Sequence, residues 1–466
     1  MKCIRWGDAY FVIDGNHRVS VARQMEVPTI SAYVTEVKTR VPLSADDDPD
    51  EIICKARYAQ FLEQSDLDKL RPDADLLMTF CGQYRLILEH VAVHRHYMGL
   101  EQQRFISEEE AVASWYDNVY QPVRCMVQEQ GILRYFPNRT EADMYVLLAE
   151  HRAELAEVLG WAVSPETAVT ELAKERRSLL QGLWTAVLPP LLDSGPPPGS
   201  WRLDRVSKRP SGRLFDDILI PMGANPADWR ALDWGIAVAQ LGQSRLLGLH
   251  VVDEENEVDN VFAPEVVREE FERRCAQAGV AGQFAVEWGS VATKIVARSA
   301  YADGIVLPVN YPPETVAERT VSGMQVILRQ CPRPILTAPP GGVRPLSHAL
   351  LAYGGGRTPA EEALFVAAYL AAHYHIRLSV LSVGDKIQTN KALARVRDYL
   401  QQADVPADFY AEEGEVEEVI RQTAVTTQAD FLIVGSFAYG PLRAVLFGSV
   451  INRLLPTFEK PILVCR

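Results

Sequence analysis

The chain lacks any apolar run near the roughly 18 residues that a membrane-spanning helix needs, so no membrane role is expected. Its first residues, MKCIRWGDAYFVID, have neither the apolar stretch nor the small-residue cleavage site of a secretory signal. It also lacks paired cysteines. The seven present (Cys3, Cys54, Cys81, Cys125, Cys275, Cys331 and Cys465) are scattered, and none forms a C-x-x-C pair. Reduced thiols in a cytoplasmic protein are the expectation, and the sequon Asn138-Arg139-Thr140 then has no meaning. There is no excess of basic charge: the formal net charge of −14 disfavours non-specific nucleic-acid binding by the whole chain. Walker A, nucleophile-elbow and metal-ligand patterns are missing, so no catalytic residue is assigned and turnover is not expected.

What is present begins with length. At 466 residues the chain exceeds one ordinary core, and about two to four domains are expected. Apolar content of 48% and charged content of 23% suit a globular protein. Composition and periodicity divide the chain into a small α+β segment at 1–42, a helical domain at 43–190, a Pro/Gly-rich linker at 191–212, and two related α/β domains at 213–340 and 346–466.

In the first segment, Tyr10–Asp14 and Thr29–Val37 read as strands flanking Gly15-Asn16-His17-Arg18 and a short helix. A glycine turn running into a helix start beside an arginine is a candidate phosphate site: Gly15, His17 and Arg18. Here the segment resembles the ParB/sulfiredoxin superfamily, whose Gly-x-x-Arg motif contacts nucleotide phosphates. Asn16 stands where a sulfiredoxin needs cysteine, so that chemistry is not expected. Upstream strands of such a module are not evident, so Met1 is not expected to be its natural start.

The middle is helical. Ser107-x-x-Glu110 is a capping box, Thr140-x-x-Asp143 opens another helix, and Ser164-Pro165 starts a further one. Val112, Trp115, Val119 and Val123 recur at helical spacing, with Pro122 expected to kink or end that helix and Gly160 to stop the next. His90, His94 and His96 tempt a metal reading. No glutamate stands between His90 and His94 in the H-E-x-x-H sense, so a structural role is favoured. The aromatic residues Trp115, Tyr116, Tyr120, Tyr135, Phe136 and Tyr145 read as core. Ser194–Ser200, with three successive prolines, is a stiff spacer.

The last half of the chain is a repeat. DILIPMG matches ALLAYGG as a first strand, LLGLHVV matches RLSVLSV, GIVLPV matches DFLIVGS, and both copies end in Pro-Ile-Leu. Ser322 aligns with Ser449, and Pro334 with Pro461, at one offset (449 − 322 = 461 − 334 = 127). Short apolar strands alternating with helices argue for parallel sheets covered on both faces, with ligands at the carboxyl ends of the strands. The stretch 430–450 reads as strand, glycine-bearing loop and helix start. Backbone amides, Ser449 and a glycine at close approach can cradle a phosphate there. Arg443 reads mainly as a surface arginine.

On these residues each copy resembles the universal stress protein family. The resemblance implies two tandem five-stranded, doubly wound parallel-sheet domains. Nucleotide-binding members carry Gly-x2-Gly-x9-Gly-(Ser/Thr); Gly435 and Gly448-Ser449 fit it, with Ala438 at the second glycine and Gly440 nearby. The implied site for ATP or a related nucleotide comprises Gly435, Ser436, Gly440, Gly448, Ser449, Val450, Val383 and Gly354. The acid that members carry at the end of the first strand is absent, with Gly354-Gly355 in its place. In the first copy Pro308, Tyr311 and Val321 replace the glycines, so that copy is expected to serve as a pseudo-dimer partner through ILTA and ILVC. A homodimer and an unidentified protein partner are further expectations. The function implied is a nucleotide-binding stress-response or regulatory protein. The alternatives are a ParB-like CTP- or ATP-dependent switch or DNA-associated protein, and a scaffold whose nucleotide sites have decayed.

Overall fold

The computed structural model describes the chain except residues 7–8, 38–39, 45–46, 137–138, 166, 173–212, 224–228, 253–263, 310–322, 355–357, 436–449, 456 and 466. It divides into two units, one of residues 1–155 with 164–181 and one of 156–163 with 182–466. The spacer at Ser194–Ser200 and the part beyond residue 172 of the helix expected from Ser164-Pro165 lie outside the described residues.

The first unit opens with a three-stranded sheet in the order β2-β1-β3. Its strands are β1 (Lys2–Trp6), β2 (Ala9–Asp14) and β3 (Tyr33–Val37). β1 pairs antiparallel with β2 and parallel with β3. The strand before Tyr10 was therefore missed by the sequence reading, and the later strand is shorter than 29–37. Helix α1 (Asn16–Gln24) buries none of its residues. It gains none of the roughly 1.5–3 kcal/mol that a buried large apolar side chain supplies.

The helical part comprises α2 (Pro49–Ser65), a short α3 (Leu67–Leu70), α4 (Tyr84–Gln102), α5 (Glu108–Trp115), α6 (Gln121–Glu129) and α7 (Glu141–Leu159). Its core holds Phe61, Leu67, Leu76, Met78, Ile87, Trp115 and Tyr120, all nearly or fully buried. The indole N–H of Trp115 donates to the Tyr145 hydroxyl at 3.0 Å, which makes this aromatic group core packing. The α-helical run that Pro122 was expected to kink or end stops at Trp115. A π-helical turn over Tyr116–Tyr120 follows, and Pro122 sits in the first turn of α6. The Gln121 N–H closes this longer turn on Tyr116 O, and proline in a first helical turn has no intrahelical bond to lose.

The two capping boxes differ. Thr140 and Asp143 exchange both bonds, Asp143 N–H to Thr140 Oγ1 at 3.2 Å and Thr140 N–H to Asp143 Oδ2 at 2.9 Å. Asp143 also accepts the amides of Thr79 and Phe80 and the Thr79 hydroxyl, which holds its carboxyl below the usual range against the opposing cost of burial. Ser107 caps Glu110 N–H at 3.1 Å, but the Glu110 carboxylate pairs with Arg104. That box is half made, because a nearby guanidinium is the stronger partner.

The second unit is built on one ten-stranded sheet. Its first strands are β4 (Asp217–Pro221), β5 (Arg245–Val252), β6 (Gly282–Trp288), β7 (Gly304–Pro308) and β8 (Ile335–Ala338). The remainder are β9 (His348–Ala352), β10 (Arg377–Val383), β11 (Ala407–Glu412), β12 (Phe431–Gly435) and β13 (Ile462–Cys465). Their order is β11-β10-β9-β12-β13-β8-β7-β4-β5-β6. Every neighbouring pair is parallel except β13–β8, which is antiparallel through Leu463 with Leu336 and Val464 with Ile335. The architecture is thus α/β with a large, mostly parallel sheet. Residues of both parities are buried along β4, β9 and β12, so these strands are covered on both faces. The edge strands β6 and β11 are half exposed.

The connecting helices are α8 (Arg230–Gly242), α9 (Pro264–Ala278), α10 (Val291–Ser299), α11 (Gly323–Gln330), α12 (Thr358–Tyr374), α13 (Lys386–Gln402), α14 (Val416–Thr426) and α15 (Val450–Leu454). Two polar devices recur at the amino edge of the sheet. Asp303, before β7, accepts the amides of Asp216 and Asp217 at 2.9 Å each. Asp430, before β12, accepts those of Ser347 and His348 at 2.9 and 2.8 Å. Arg333 donates to the carbonyls of Ala302 and Ala300 at 2.6 and 2.8 Å, and Lys460 to those of Ala429 and Ala424 at 2.6 and 3.3 Å. Each satisfies backbone groups that would otherwise be left unpaired.

Candidate functional site

Read along the sheet, β10-β9-β12 contains a reversal of strand order: the chain moves from β9 to β10 on one side, then returns to β12 on the other. Such a reversal opens a crevice at the carboxyl ends of the strands. The register places three of the expected residues at this edge. Leu381 and Val434 both pair with Ala352, so Val383, Gly354 and Gly435 stand one or two residues beyond a common level. The Tyr353 N–H donates to Leu381 O at 2.8 Å and keeps the end of β9 aligned.

The three differ in their surroundings. Among the described residues, a side chain at Gly354 would meet nothing within 4 Å. Val383 ends β10 opposite Glu412, and Gly384 turns the chain away at φ 151°. Gly435 is crowded: a Cβ there would lie 2.6 Å from the Pro359 carbonyl carbon and oxygen and 2.8 Å from the Ala360 nitrogen. The space beside Gly435 is therefore taken by the start of α12, which gives this glycine a packing reason not foreseen from its spacing. Val450 opens α15 and is half-buried. Ser436, Gly440, Gly448 and Ser449, with Ala438 and Arg443, lie outside the described residues.

The ionisable groups around this edge are already engaged. Tyr353 ends the first strand region and donates its hydroxyl to the Glu361 carboxylate in the first turn of α12. Arg395 grips the same carboxylate through Nε and Nη2 at 2.9 Å each. Burial, then Glu361, hold the Tyr353 hydroxyl far above the usual phenol range. Asp385 caps α13 by accepting the amides of Ile387 and Gln388 at 3.0 Å, so those donors are not offered to an anion.

The corresponding edge of β4 and β7 is closed differently. Pro308 ends β7. Arg230, the first residue of α8, donates to Val309 O at 2.9 Å and Ala338 O at 3.2 Å. Trp229 donates its indole N–H to Gly223 O at 3.0 Å. Tyr311, Val321 and Ser322 lie outside the described residues.

At the N-terminal candidate, Gly15 has φ 103° and its carbonyl accepts the amides of Arg18 and Val19 at 2.9 and 3.2 Å. His17 and Arg18 are exposed. Histidines of α4 take structural partners: His90 Nδ1 lies 3.1 Å from the Tyr145 hydroxyl and His94 Nε2 3.0 Å from Ser114 Oγ. Burial lowers the pKa of both. Among the described residues no cluster of three or more His, Cys, Asp or Glu could hold a metal ion, and no helix is long and apolar enough to cross a membrane.

The model of the universal stress protein family matches residues 384–466. No curated protein matches the chain. Among solved structures, a universal stress protein from Archaeoglobus fulgidus DSM 4304 is 14% identical over 55% of this chain and 98% of its own, with a TM-score of 0.44. A protein of unknown function from Pseudomonas aeruginosa PAO1 is 20% identical over 54% and 92%, with a TM-score of 0.42. A universal stress protein solved in complex with cAMP is 17% identical over 26% and 95%, with a TM-score of 0.23. At these scores the fold description rests on this chain's own strand order.

Sequence reasoning missed Asp303, Asp430, Arg333, Lys460, Arg230 and the Tyr353–Glu361–Arg395 group. For the first four a signal existed, since both pairs keep the offset of the repeat (430 − 303 = 460 − 333 = 127). Nothing local marks Arg230 or Arg395.

Proposed function

We propose that this chain is a regulatory, stress-response type of protein that binds ATP or a related nucleotide at the carboxyl edge of β9, β10 and β12. The observation that carries this reading is the convergence of Val383, Gly354 and Gly435 at the strand-order reversal, with Gly435 inside residues 384–466 that match the family. The backbone at Gly354, open among the described residues, suits close approach by a ligand. Ser436, Gly440, Gly448, Ser449 and Val450 would supply the phosphate cradle, while Gly435 admits the start of α12.

In this reading the strands β4–β8 and β9–β13 are tandem five-stranded copies, joined as a pseudo-dimer through β8 and β13. The first copy has an architectural role, because Arg230 and Trp229 occupy its carboxyl edge. The N-terminal segment, with Gly15, His17 and Arg18, is a ParB/sulfiredoxin-like module and a second phosphate-binding candidate.

Mass spectrometry of ligand released from the purified full chain, followed by calorimetric titration of ATP and CTP, tests the proposal. ATP binding reduced at least about tenfold in Gly448→Val supports the second copy as the site, a loss of about 1.4 kcal/mol or more. CTP binding lost in Arg18→Ala, with ATP unaffected, moves the function to the N-terminal segment. Absence of binding to either nucleotide overturns the proposal in favour of a scaffold.

A further inference from the structure

Of the seven cysteines, Cys3, Cys275, Cys331 and Cys465 are buried and Cys125 is exposed in α6. Cys54 and Cys81 differ from these: both are half-buried, and the fold brings them together. Cys54 lies in α2, and its thiol donates to Thr79 O at 3.6 Å. Thr79 stands two residues before Cys81 in the same turn, so the turn carries the second cysteine to the Cys54 side of α2, where it acts on the Cys54 thiol.

This meeting is held from the opposite side. Asp143 accepts the amides of Thr79 at 3.0 Å and Phe80 at 3.1 Å, and the Thr79 hydroxyl at 2.7 Å. Arg139 donates to Thr79 Oγ1 at 2.9 Å and stacks 3.5 Å from the Phe80 ring centroid. Gln83 N–H bonds to Phe80 O at 3.1 Å, closing the turn that carries Cys81. Residues 79–83 are thus a braced turn pressed against α2, not a free loop end. Two thiols presented this way have the proximity that speeds a thiol–sulfenate condensation.

We propose that Cys54 and Cys81 form a thiol-oxidation site that a hydroperoxide converts to an intramolecular disulfide. One sulfur attacks the peroxide; the O–O bond breaks, an alcohol or water leaves, and a sulfenic acid forms. The other sulfur then attacks that sulfenic sulfur, the S–O bond breaks, and water leaves. Two thiols lose two electrons and two protons, and the peroxide is reduced by the same two electrons. Burial, then the Cys81 side chain, push the Cys54 thiol up to about 11, which slows whichever step uses this sulfur as the nucleophile.

The test is peroxide treatment of the full chain, with non-reducing peptide mapping by mass spectrometry. The expected product is a cross-linked peptide pair containing Cys54 and Cys81, two hydrogens lighter than its parts and reversed by dithiothreitol. Denaturing the protein in urea should slow this cross-link about tenfold or more, because the fold supplies the proximity. Cys54→Ser should stop at a dimedone-reactive sulfenic acid on Cys81, and Cys125→Ser should leave the cross-link unchanged. Separate sulfination or alkylation of the two cysteines in the folded wild-type chain, without a cross-link, overturns the proposal.

Discussion

The two halves of the ten-stranded sheet place equivalent strands in mirrored order about the β8–β13 seam, yet they finish their carboxyl edges in different ways. In β4–β8 an arginine and a tryptophan from the start of α8 take up the free carbonyls of Val309, Ala338 and Gly223. In β9–β13 the start of α12 comes to Gly435 as bare backbone, and among the described residues nothing lies within 4 Å of a side chain built at Gly354. The amino edges, by contrast, share one device, an aspartate that collects two strand amides. Backbone groups at the amino edge must be satisfied in any such sheet, so the same solution recurs. The carboxyl edge is free to be plugged or left accessible, and that is where the halves diverge.

The largest effect should come from the basic residues that close each half. Arg333 is 4% exposed, and Arg333→Ala strands two inward carbonyls. A loss of about 2–4 kcal/mol is expected. Lys460→Ala, at a half-buried site, should lose less, about 1–2 kcal/mol. Urea unfolding of both variants compares the halves directly, and equal losses would break the comparison.

Gly435→Ala forces a methyl onto the backbone of Pro359 and Ala360 and should cost about 1–3 kcal/mol. Gly304→Ala in β7 meets the Phe215 ring at an ordinary 3.4 Å and should stay within about 1 kcal/mol of neutral. A neutral Gly435→Ala would show that α12 does not depend on the glycine.

His348 gives the β9–β13 half a pH dependence. Burial and the Arg377 charge lower its pKa below the ordinary 6.5, and its Nε2 meets Ser379 Oγ at 3.0 Å. The folded state therefore favours the neutral ring. That contribution is full above the unfolded value near 6.5 and is lost as pH falls through the depressed folded value. Hydrogen exchange of β9 and β10 amides between pH 8 and 5 should show loosening on acidification, reduced in His348→Gln. An unchanged slope in the variant assigns the effect elsewhere.

The smallest contrast is between the arginines that open β5 and β10. Arg245 pairs with the mostly buried Asp217 at 2.8 Å and also donates to Gln283 and Ala162 O. Arg245→Ala should cost about 1–2 kcal/mol. Arg377 pairs with Asp408 at the surface, and its removal should be undetectable in the same urea titration. A measurable loss at Arg377 would mean the second pair is less screened than its exposure indicates.

Much of this was legible in the sequence. Apolar strands with both parities buried announce themselves as unbroken runs, and β4, β7, β9 and β12 were read as such. The edge strands β6 and β11 carry polar residues on an exposed face, so their pattern is diluted. β1 escaped because a short, partly exposed strand at a chain start has little periodicity to read. At the candidate site, Gly435 was named from its spacing and Gly354 and Val383 from the family resemblance, but neither distinguishes a glycine facing a ligand from one facing a helix.

The sequence by itself determined the alternation of strands and helices in the last half of the chain and the helix starts at Ser107 and Thr140, because these depend on local periodicity and on side chains bonding to near neighbours. Only the tertiary structure decided that β8 meets β13 antiparallel, that Gly435 receives α12, that Arg230 closes one edge, and that Cys54 meets Cys81. Each of those joins residues far apart in the chain, and a contact of that kind leaves no periodic trace in a single sequence.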